Sequence, residues 1–404
     1  MNKLYIKNFG PIKEADIDIK SFNLFIGEQS IGKSTIAKLI TMFTDNYTLA
    51  VICSLKKKGW DFQLGMYDLK EYGKDNYIIE YKYSNKDCIL SLSIDSQQVT
   101  VQVVKNGTII SDDNQIQSEI ISMRKVFHGK KYLKQLKESR DLLEKDKSFS
   151  NLLELSLVMS SSLYVPAERI MYSMINKLRS AIGIMGETIP VMFSRFSISL
   201  EQAKVRFSNY DSSIFDITYL NEEKGSFFIE HSSKKKFSFN YASSGIQSTM
   251  PLILVLEDVA EREYSSIVIE EPESNLFPST QIEVLKFILS KARVDGRIAT
   301  VTTHSPYLLS ALNNYLFAGL IEEKYGKDAV ESLDSVLPKD LRLNSDDCSV
   351  YSIGSDINNG VYCKSLIDEN TGMIDLNALD IISESLSDEF GLLESIYSKL
   401  LRNN

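Results

Sequence analysis

Histidine is scarce in this chain: three in 404 residues, His128, His231 and His304. A metal centre built on imidazole is therefore poorly supplied. The four cysteines, Cys53, Cys88, Cys348 and Cys363, stand far apart and form no C-x-x-C pair, which argues against zinc and against a disulfide framework. Long apolar runs are missing too. The longest, Pro251–Leu256, falls far short of the roughly 18 consecutive apolar residues that mark a membrane span, so no membrane partner is expected. The chain opens directly on a strand pattern, Met1-Asn-Lys-Leu-Tyr-Ile-Lys-Asn-Phe9, without a basic-then-apolar leader. Secretion is not expected, and a cytoplasmic location is. Positive charge is not in excess either. The net charge of −9 excludes a protein that coats nucleic acid over its whole surface.

The charge is uneven, however. Residues 124–147 carry nine Lys and Arg against four Asp and Glu, which leaves −14 for the remainder. Such a run is either a solvated helical face or a contact for nucleic acid or a protein partner.

Ala15-Asp-Ile-Asp-Ile19 alternates as a strand, and Phe22-Asn-Leu-Phe-Ile26 is a buried strand ending at Gly27. A helix is predicted from Lys33 to Phe43. Tyr77–Tyr83, Ile89–Ile94 and Val99–Val104 read as an antiparallel set, with turn chemistry at Asp95-Ser96 and Asn106-Gly107. From about 115 to 210 the pattern is mostly helical, apart from Ser162–Pro166, and 214–241 returns to hairpins. Helix and strand then alternate: Ile246–Arg262, Ser266–Ile269, Thr280–Ala292 and Ile298–Thr302. That alternation predicts a parallel sheet covered on its faces. No repeat, low-complexity tract or linker separates these parts, so interleaved lobes are expected. Four regions follow: 1–112, 113–240 with a helical arm and hairpins, 241–320, and a C-terminal dimer or partner region at 321–404.

Gly27-Glu-Gln-Ser-Ile-Gly-Lys-Ser-Thr35 fits G-x-x-x-x-G-K-[ST] between a strand and a helix. Gly27 and Gly32 let the backbone turn so that the N–H groups of Gln29, Ser30 and Ile31 point inward at phosphate oxygens. The helix N-terminus at Lys33, Ser34 and Thr35 adds positive potential in the same direction. Lys33 reaches the β- and γ-phosphates, and the Ser34 hydroxyl ligates Mg²⁺.

Ser266-Ile-Val-Ile-Glu-Glu-Pro-Glu273 is an apolar strand ending in consecutive carboxylates, which is costly without a cation to face. Glu270 is assigned to the metal and Glu271 to polarising the attacking water. His304 closes the apolar strand Ala299–Thr303, expected beside the Glu271 strand, within reach of a γ-phosphate. Ala242-Ser-Ser-Gly-Ile-Gln-Ser248 reads as a helix N-cap whose hydroxyls and amides suit a γ-phosphate presented from outside.

These pieces, in this order, resemble the ABC-type ATPase heads of the SMC, RecF and OLD group. They are most like the small bacterial AAA15/AAA21-type ATPases of antiphage defence, of the Septu or PARIS kind. Gly27–Thr35 resembles Walker A, Ser243–Gln247 the LSGGQ signature, and Ile267–Glu271 Walker B. Ser274–Phe277 is similar to the D-loop, and His304 to the switch histidine. Glu270–Glu273, Thr303–Pro306 and Tyr164–Arg169 resemble the defence subgroup in particular. The sequence departs at Ile246, where the signature has a second glycine, and at Glu270, where aspartate is common.

The resemblance implies an α/β fold: an ABC-type P-loop NTPase head with an antiparallel β subdomain and an inserted helical lobe. It also implies Mg-ATP as ligand, with Gln63 as the Q-loop residue on the metal. Ser244, Gly245 and Gln247 of one copy would complete the site of the other, making ATP the glue of a homodimer. The expected role is control of a separately encoded effector, a nuclease of HNH or TOPRIM type; a RecF- or SMC-like role in DNA repair or chromosome handling is the alternative. A nuclease domain within this chain is disfavoured. Only 100 residues follow His304, and they hold neither a D-x-D pair nor a histidine.

Overall fold

The structure, a computed structural model, describes residues 2–74, 76–110, 115, 161–172, 191–260, 264–293, 297–356 and 360–375. The basic stretch 124–147 and the C-terminal stretch Leu376–Leu401 lie outside the described residues.

The centre is a six-stranded sheet. Its strands are β3 (Phe22–Gly27), β8 (Ser162–Val165), β13 (Ser266–Glu270), β14 (Ile298–Thr303), β15 (Cys348–Asp356) and β16 (Val361–Ser365). They lie in the order β16-β15-β3-β14-β13-β8. Every neighbouring pair is parallel except β15 and β16. Alternate side chains divide between two cores. Leu24, Ile26, Leu163, Val165, Ile267 and Ile269 face one, and Phe25, Tyr164 and Val268 face the other. A sheet buried on both faces needs apolar residues at successive positions, which is why these strands read as runs rather than as alternations.

The second core is closed by α1 (Lys33–Thr44), α2 (Asn46–Leu55), α3 (Lys57–Met66) and a six-stranded antiparallel sheet. That sheet consists of β1 (Asn2–Phe9), β2 (Ile12–Ile19), β4 (Ile78–Ser84), β5 (Cys88–Asp95), β6 (Val99–Lys105) and β7 (Thr108–Ile110). The aromatic cluster of Phe9, Phe43, Trp60, Tyr77 and Tyr81 fills the space between it and the helices.

The first core is closed by α4 (Val191–Arg206), α5 (Ser244–Ala260), α6 (Pro278–Ala292) and α7 (Pro306–Tyr325), with α8 (Lys327–Asp334) following. A small antiparallel sheet of β9 (Asn209–Ser212), β10 (Ile217–Glu222), β11 (Gly225–Glu230) and β12 (Lys236–Ser238) flanks α4 and α5. Among the described residues no single helix is long and apolar enough to cross a membrane.

The described parts of 113–240 include β8, which is the outer strand of the central sheet next to β13. The segment 321–404, read from the sequence as a dimer or partner region, supplies β15 and β16 to the same sheet. β15 lies directly against the β3 strand, with Cys348 opposite Phe22 and Ile353 opposite Gly27.

Candidate functional site

Parallel strands send all their carboxyl ends to one edge, and ligands of open α/β sheets bind outside that edge. Here β3, β14, β13 and β8 end at Gly27, Thr303, Glu270 and Val165. The residues that follow, Glu28–Gly32, His304, Glu271 and Pro166–Arg169, are thereby gathered by topology alone.

The loop after β3 turns through positive φ at Gly27 (155°), Ser30 (61°) and Gly32 (98°). A Cβ on Gly27 would stand 2.3 Å from the Ile353 carbonyl oxygen of β15, and one on Gly32 would crowd Ile12, Pro11 and the Tyr362 hydroxyl. Gly27 is thus required by conformation and by space, and Gly32 by its positive φ, with only tight room for a Cβ. Gln29 and Ser30 are exposed, Ile31 is half-buried, and Thr35 is buried in α1. The Tyr362 hydroxyl lies between the carbonyls of Pro11 (3.0 Å) and Ile31 and shares its one proton between them. Lys33 folds back over the loop and donates to the carbonyls of Gly27 (2.9 Å) and Glu28 (2.6 Å). Burial pushes its ammonium down to about 8, against the pull of Glu271, Glu273 and Glu270.

Glu270 is 4% exposed and its Oε1 has no hydrogen-bond partner. Burial raises its carboxyl above the usual range, and Glu168 adds to the rise, while the nearby Ser34 and Tyr164 hydroxyls and Lys38 oppose it. An orphaned carboxylate oxygen beside a serine hydroxyl fits a hard cation with oxygen ligands. Among the described residues no group of three or more His, Cys, Asp or Glu side chains gathers to hold a metal.

Glu271 has φ 41°, a left-handed conformation unusual outside glycine. Its N–H donates to the Thr302 carbonyl at 2.9 Å. Its Oε1 lies 3.1 Å from His304 Nε2, and its Oε2 accepts from the Ser274 hydroxyl at 3.1 Å. The other imidazole nitrogen, Nδ1, is 3.4 Å from Lys33 Nζ. An ammonium only donates, so this pairing assigns acceptance to Nδ1 and the proton to Nε2, facing Glu271. Glu273 holds the backbone beneath: its Oε1 accepts from the Thr303 hydroxyl and the His304 N–H, both at 2.7 Å.

The hydroxyl-bearing Ser243 and Ser244 are exposed at the start of α5, and Gly245 is buried against Asn275. Gln247 is turned inward, its Nε2 donating to the carbonyls of Ala242 (2.6 Å) and Asn240 (3.3 Å). Neither of these two Gln247 bonds reaches the loop 27–35.

Gln63 is fully buried on α3, and its two amide atoms are unpartnered, so it bonds to neither Ser34 nor Glu270. The sheet edge next to β13 belongs instead to β8, whose end brings Glu168 within electrostatic reach of Glu270. The sequence assigns no role to Tyr362, nor to Arg169 and Glu273, although both of the latter fall in runs it singles out. The run Tyr164–Arg169, an apolar strand end followed by Pro, Glu and Arg, was the one available signal for Arg169.

A parallel sheet with a glycine-rich loop between strand and helix, and with acids at the neighbouring strand ends, defines a P-loop nucleoside triphosphatase fold. Residues 1–309 match the AAA_15 family, an AAA ATPase domain, and the chain belongs to that family. No curated protein matches it. Among solved structures, similarity is found to an SMC head domain from Thermotoga maritima, at 14% identity and TM-score 0.35, covering 76% of this chain and 90% of that one. An SmcHead bound to the C-winged helix domain of ScpA gives 14% identity and TM-score 0.36 over 76% and 90% of the two chains. An Smc head domain with an extended coiled coil, bound to the C-terminal domain of ScpA derived from Pyrococcus furiosus, gives 13% and 0.35 over 77% and 92%.

Proposed function

We propose that this chain is an ABC-type ATPase that binds Mg-ATP, closes as a homodimer around it, and regulates a separately encoded effector nuclease in bacterial antiphage defence. The observation that carries the ATPase reading is the Glu271 carboxylate, held by His304 and Ser274 beside the Lys33 loop.

In this reading the loop amides and Lys33 bind the phosphates. Ser34 and Glu270, the latter directly or through water, would hold Mg²⁺, which would supply positive charge to the phosphates. Glu271 orients a water in line with the γ-phosphorus and takes up its proton. The new P–O bond forms as the bond to the bridging oxygen breaks, and that electron pair leaves with ADP. His304 keeps the carboxylate aimed through its Nε2–H.

Exposure of Ser243 and Ser244 leaves their hydroxyls available to the nucleotide of a second copy. Gln247, bonded to its own loop, braces that loop. The defence role and the effector rest on the likeness of Glu270–Glu273, Thr303–Pro306 and Tyr164–Arg169 to the defence subgroup.

The test has two arms. Phosphate release with Mg-ATP is measured for the wild type and for Lys33→Ala, with ATP affinity by calorimetry. The expected result is turnover in the wild type and lost binding in the variant; unchanged affinity in Lys33→Ala would remove the P-loop reading. Co-purification from the native operon should bring down a nuclease. Turnover stimulated by DNA, with no protein partner recovered, would favour the RecF- or SMC-like role.

A further inference from the structure

Arginine in a sequence of average composition reads as a solvated surface cation, and burying its charge is costly unless every donor is met. Arg169 is fully buried. The acceptors it meets are main-chain carbonyls: Nε donates to Ser248 at 3.0 Å, one terminal nitrogen to Pro166 (3.2 Å) and Glu270 (2.7 Å), and the other to Glu271 (2.7 Å). Burial works against its charge, and the four carboxylates Glu273, Glu271, Glu270 and Glu168 favour it.

One planar fork therefore ties three segments distant in sequence: the end of β8, the end of β13, and the second turn of α5. Two of these bonds fall on the peptides either side of the Glu271 Cα, the residue with φ 41°. Such a conformation in a non-glycine residue persists only where its surroundings over-determine it. On the other side the Glu271 N–H is held by Thr302. The bond to Ser248 continues the tie into the helix that opens with Ser244 and Gly245. The Ser248 hydroxyl also reaches the turn after Glu271, its one proton shared between the Gly245 carbonyl (3.1 Å) and the Ser274 carbonyl (3.2 Å).

We infer that Arg169 is a positioning residue for hydrolysis: it fixes the backbone of Glu271, so that the carboxylate points to His304 and Ser274, and locks that backbone to the helix bearing Ser244 and Gly245. This rests on the ATPase reading above. Arg169 donates to no group assigned to direct phosphate contact, and of Glu270 it holds the main-chain carbonyl rather than the carboxylate, so its loss should act on turnover and leave ATP affinity in place.

Arg169→Lys keeps the charge but presents a compact ammonium in place of a fork that spans separate carbonyls. In the full-length protein, kcat should fall by about 10²-fold, the scale of an ångström-sized misplacement of a catalytic group. ATP affinity by calorimetry should be unchanged, as should the pH dependence of ATP binding. Wild-type kcat in a folded Arg169→Lys overturns the inference, and so does a parallel loss of affinity, since either shows that Glu271 is not what the guanidinium positions. If Arg169→Lys does not fold, Arg169→Met, which retains the apolar stem, takes its place with the same readings. Failure of both to fold assigns the guanidinium to the fold and overturns the inference as well. A wild type that releases no phosphate is the separate outcome that rejects the ATPase reading itself.

Discussion

Glu271 and His304 meet across the ends of two adjacent strands, Oε1 to Nε2 at 3.1 Å. The meeting follows from register: β13 and β14 run parallel with Glu270 opposite Thr302, so Glu271 and, one residue beyond Thr303, His304 leave the sheet at the same edge. Glu271→Gln should therefore keep ATP binding and lower hydrolysis by about 10²–10⁴-fold, the usual contribution of a positioned acid–base group. The variant should also accumulate as an ATP-bound dimer in light scattering. Wild-type turnover in Glu271→Gln would take the water-polarising role from this residue.

Glu273 answers two donors with one oxygen, the buried Thr303 hydroxyl and the part-buried His304 N–H. Glu273→Ala strands both and should cost about 1–3 kcal/mol of stability, read as a fall in the denaturant midpoint. Glu273→Gln retains a carbonyl oxygen in the same place and should recover most of that loss. Equal midpoints for the two variants would show that the acceptor is not what stabilises this turn.

Burial brings Lys33 down to about 8 in the free chain, whereas bound phosphates favour the charged form and raise its pKa in the complex. ATP affinity should accordingly be full below pH 8 and fall as pH rises through 8, by up to about tenfold per pH unit. Above pH 8, binding should take up a proton. Calorimetry in buffers of different ionisation enthalpy measures that uptake. The phosphate's own titration, near pH 6, lies outside this window. A dissociation constant that is level from pH 7 to 9.5 would contradict the assignment of Lys33 to the phosphates.

Tyr362 is the one side chain of β16 seen to donate into the phosphate loop, through the Ile31 carbonyl, sharing its proton with the Pro11 carbonyl. Tyr362→Phe removes the hydroxyl and little else. A lost hydrogen bond of about 0.5–1.5 kcal/mol should weaken ATP binding by roughly two- to tenfold, leaving kcat unaffected at saturation. Unchanged affinity would mean the loop holds its shape without β16.

Charge reversal at Lys130, Lys131 and Lys134 tests the basic stretch. If it contacts DNA, the log–log salt slope of binding should be near one per phosphate contact and should flatten in the triple variant. An unaltered slope would assign the stretch to a protein contact or a solvated face.

Local patterns carried much of this molecule in the sequence. The loop 27–35 was legible because its glycine spacing and its place between an apolar strand and a helix encode a backbone conformation residue by residue. Glu270 and Glu271 stood out because an apolar strand ending in two acids is expensive unless something faces them. The helix opening at Lys33 and the strands β13 and β14 lie where apolar periodicity placed them. What required the tertiary structure were relations between distant segments. A short apolar run can pair with any strand, so nothing in Cys348–Asp356 announced that it lies against β3 and brings the Ile353 carbonyl onto Gly27. Gln63 carried the right amide for a metal-side residue but sits on a helix stacked beneath the antiparallel sheet, while β8 takes the sheet edge beside Glu270. Arg169 was hidden for a more general reason. Its acceptors are main-chain carbonyls, which every residue possesses, so the identities of Ser248, Glu270 and Glu271 say nothing about who donates to them. Only the fold brings those carbonyls within reach of one guanidinium.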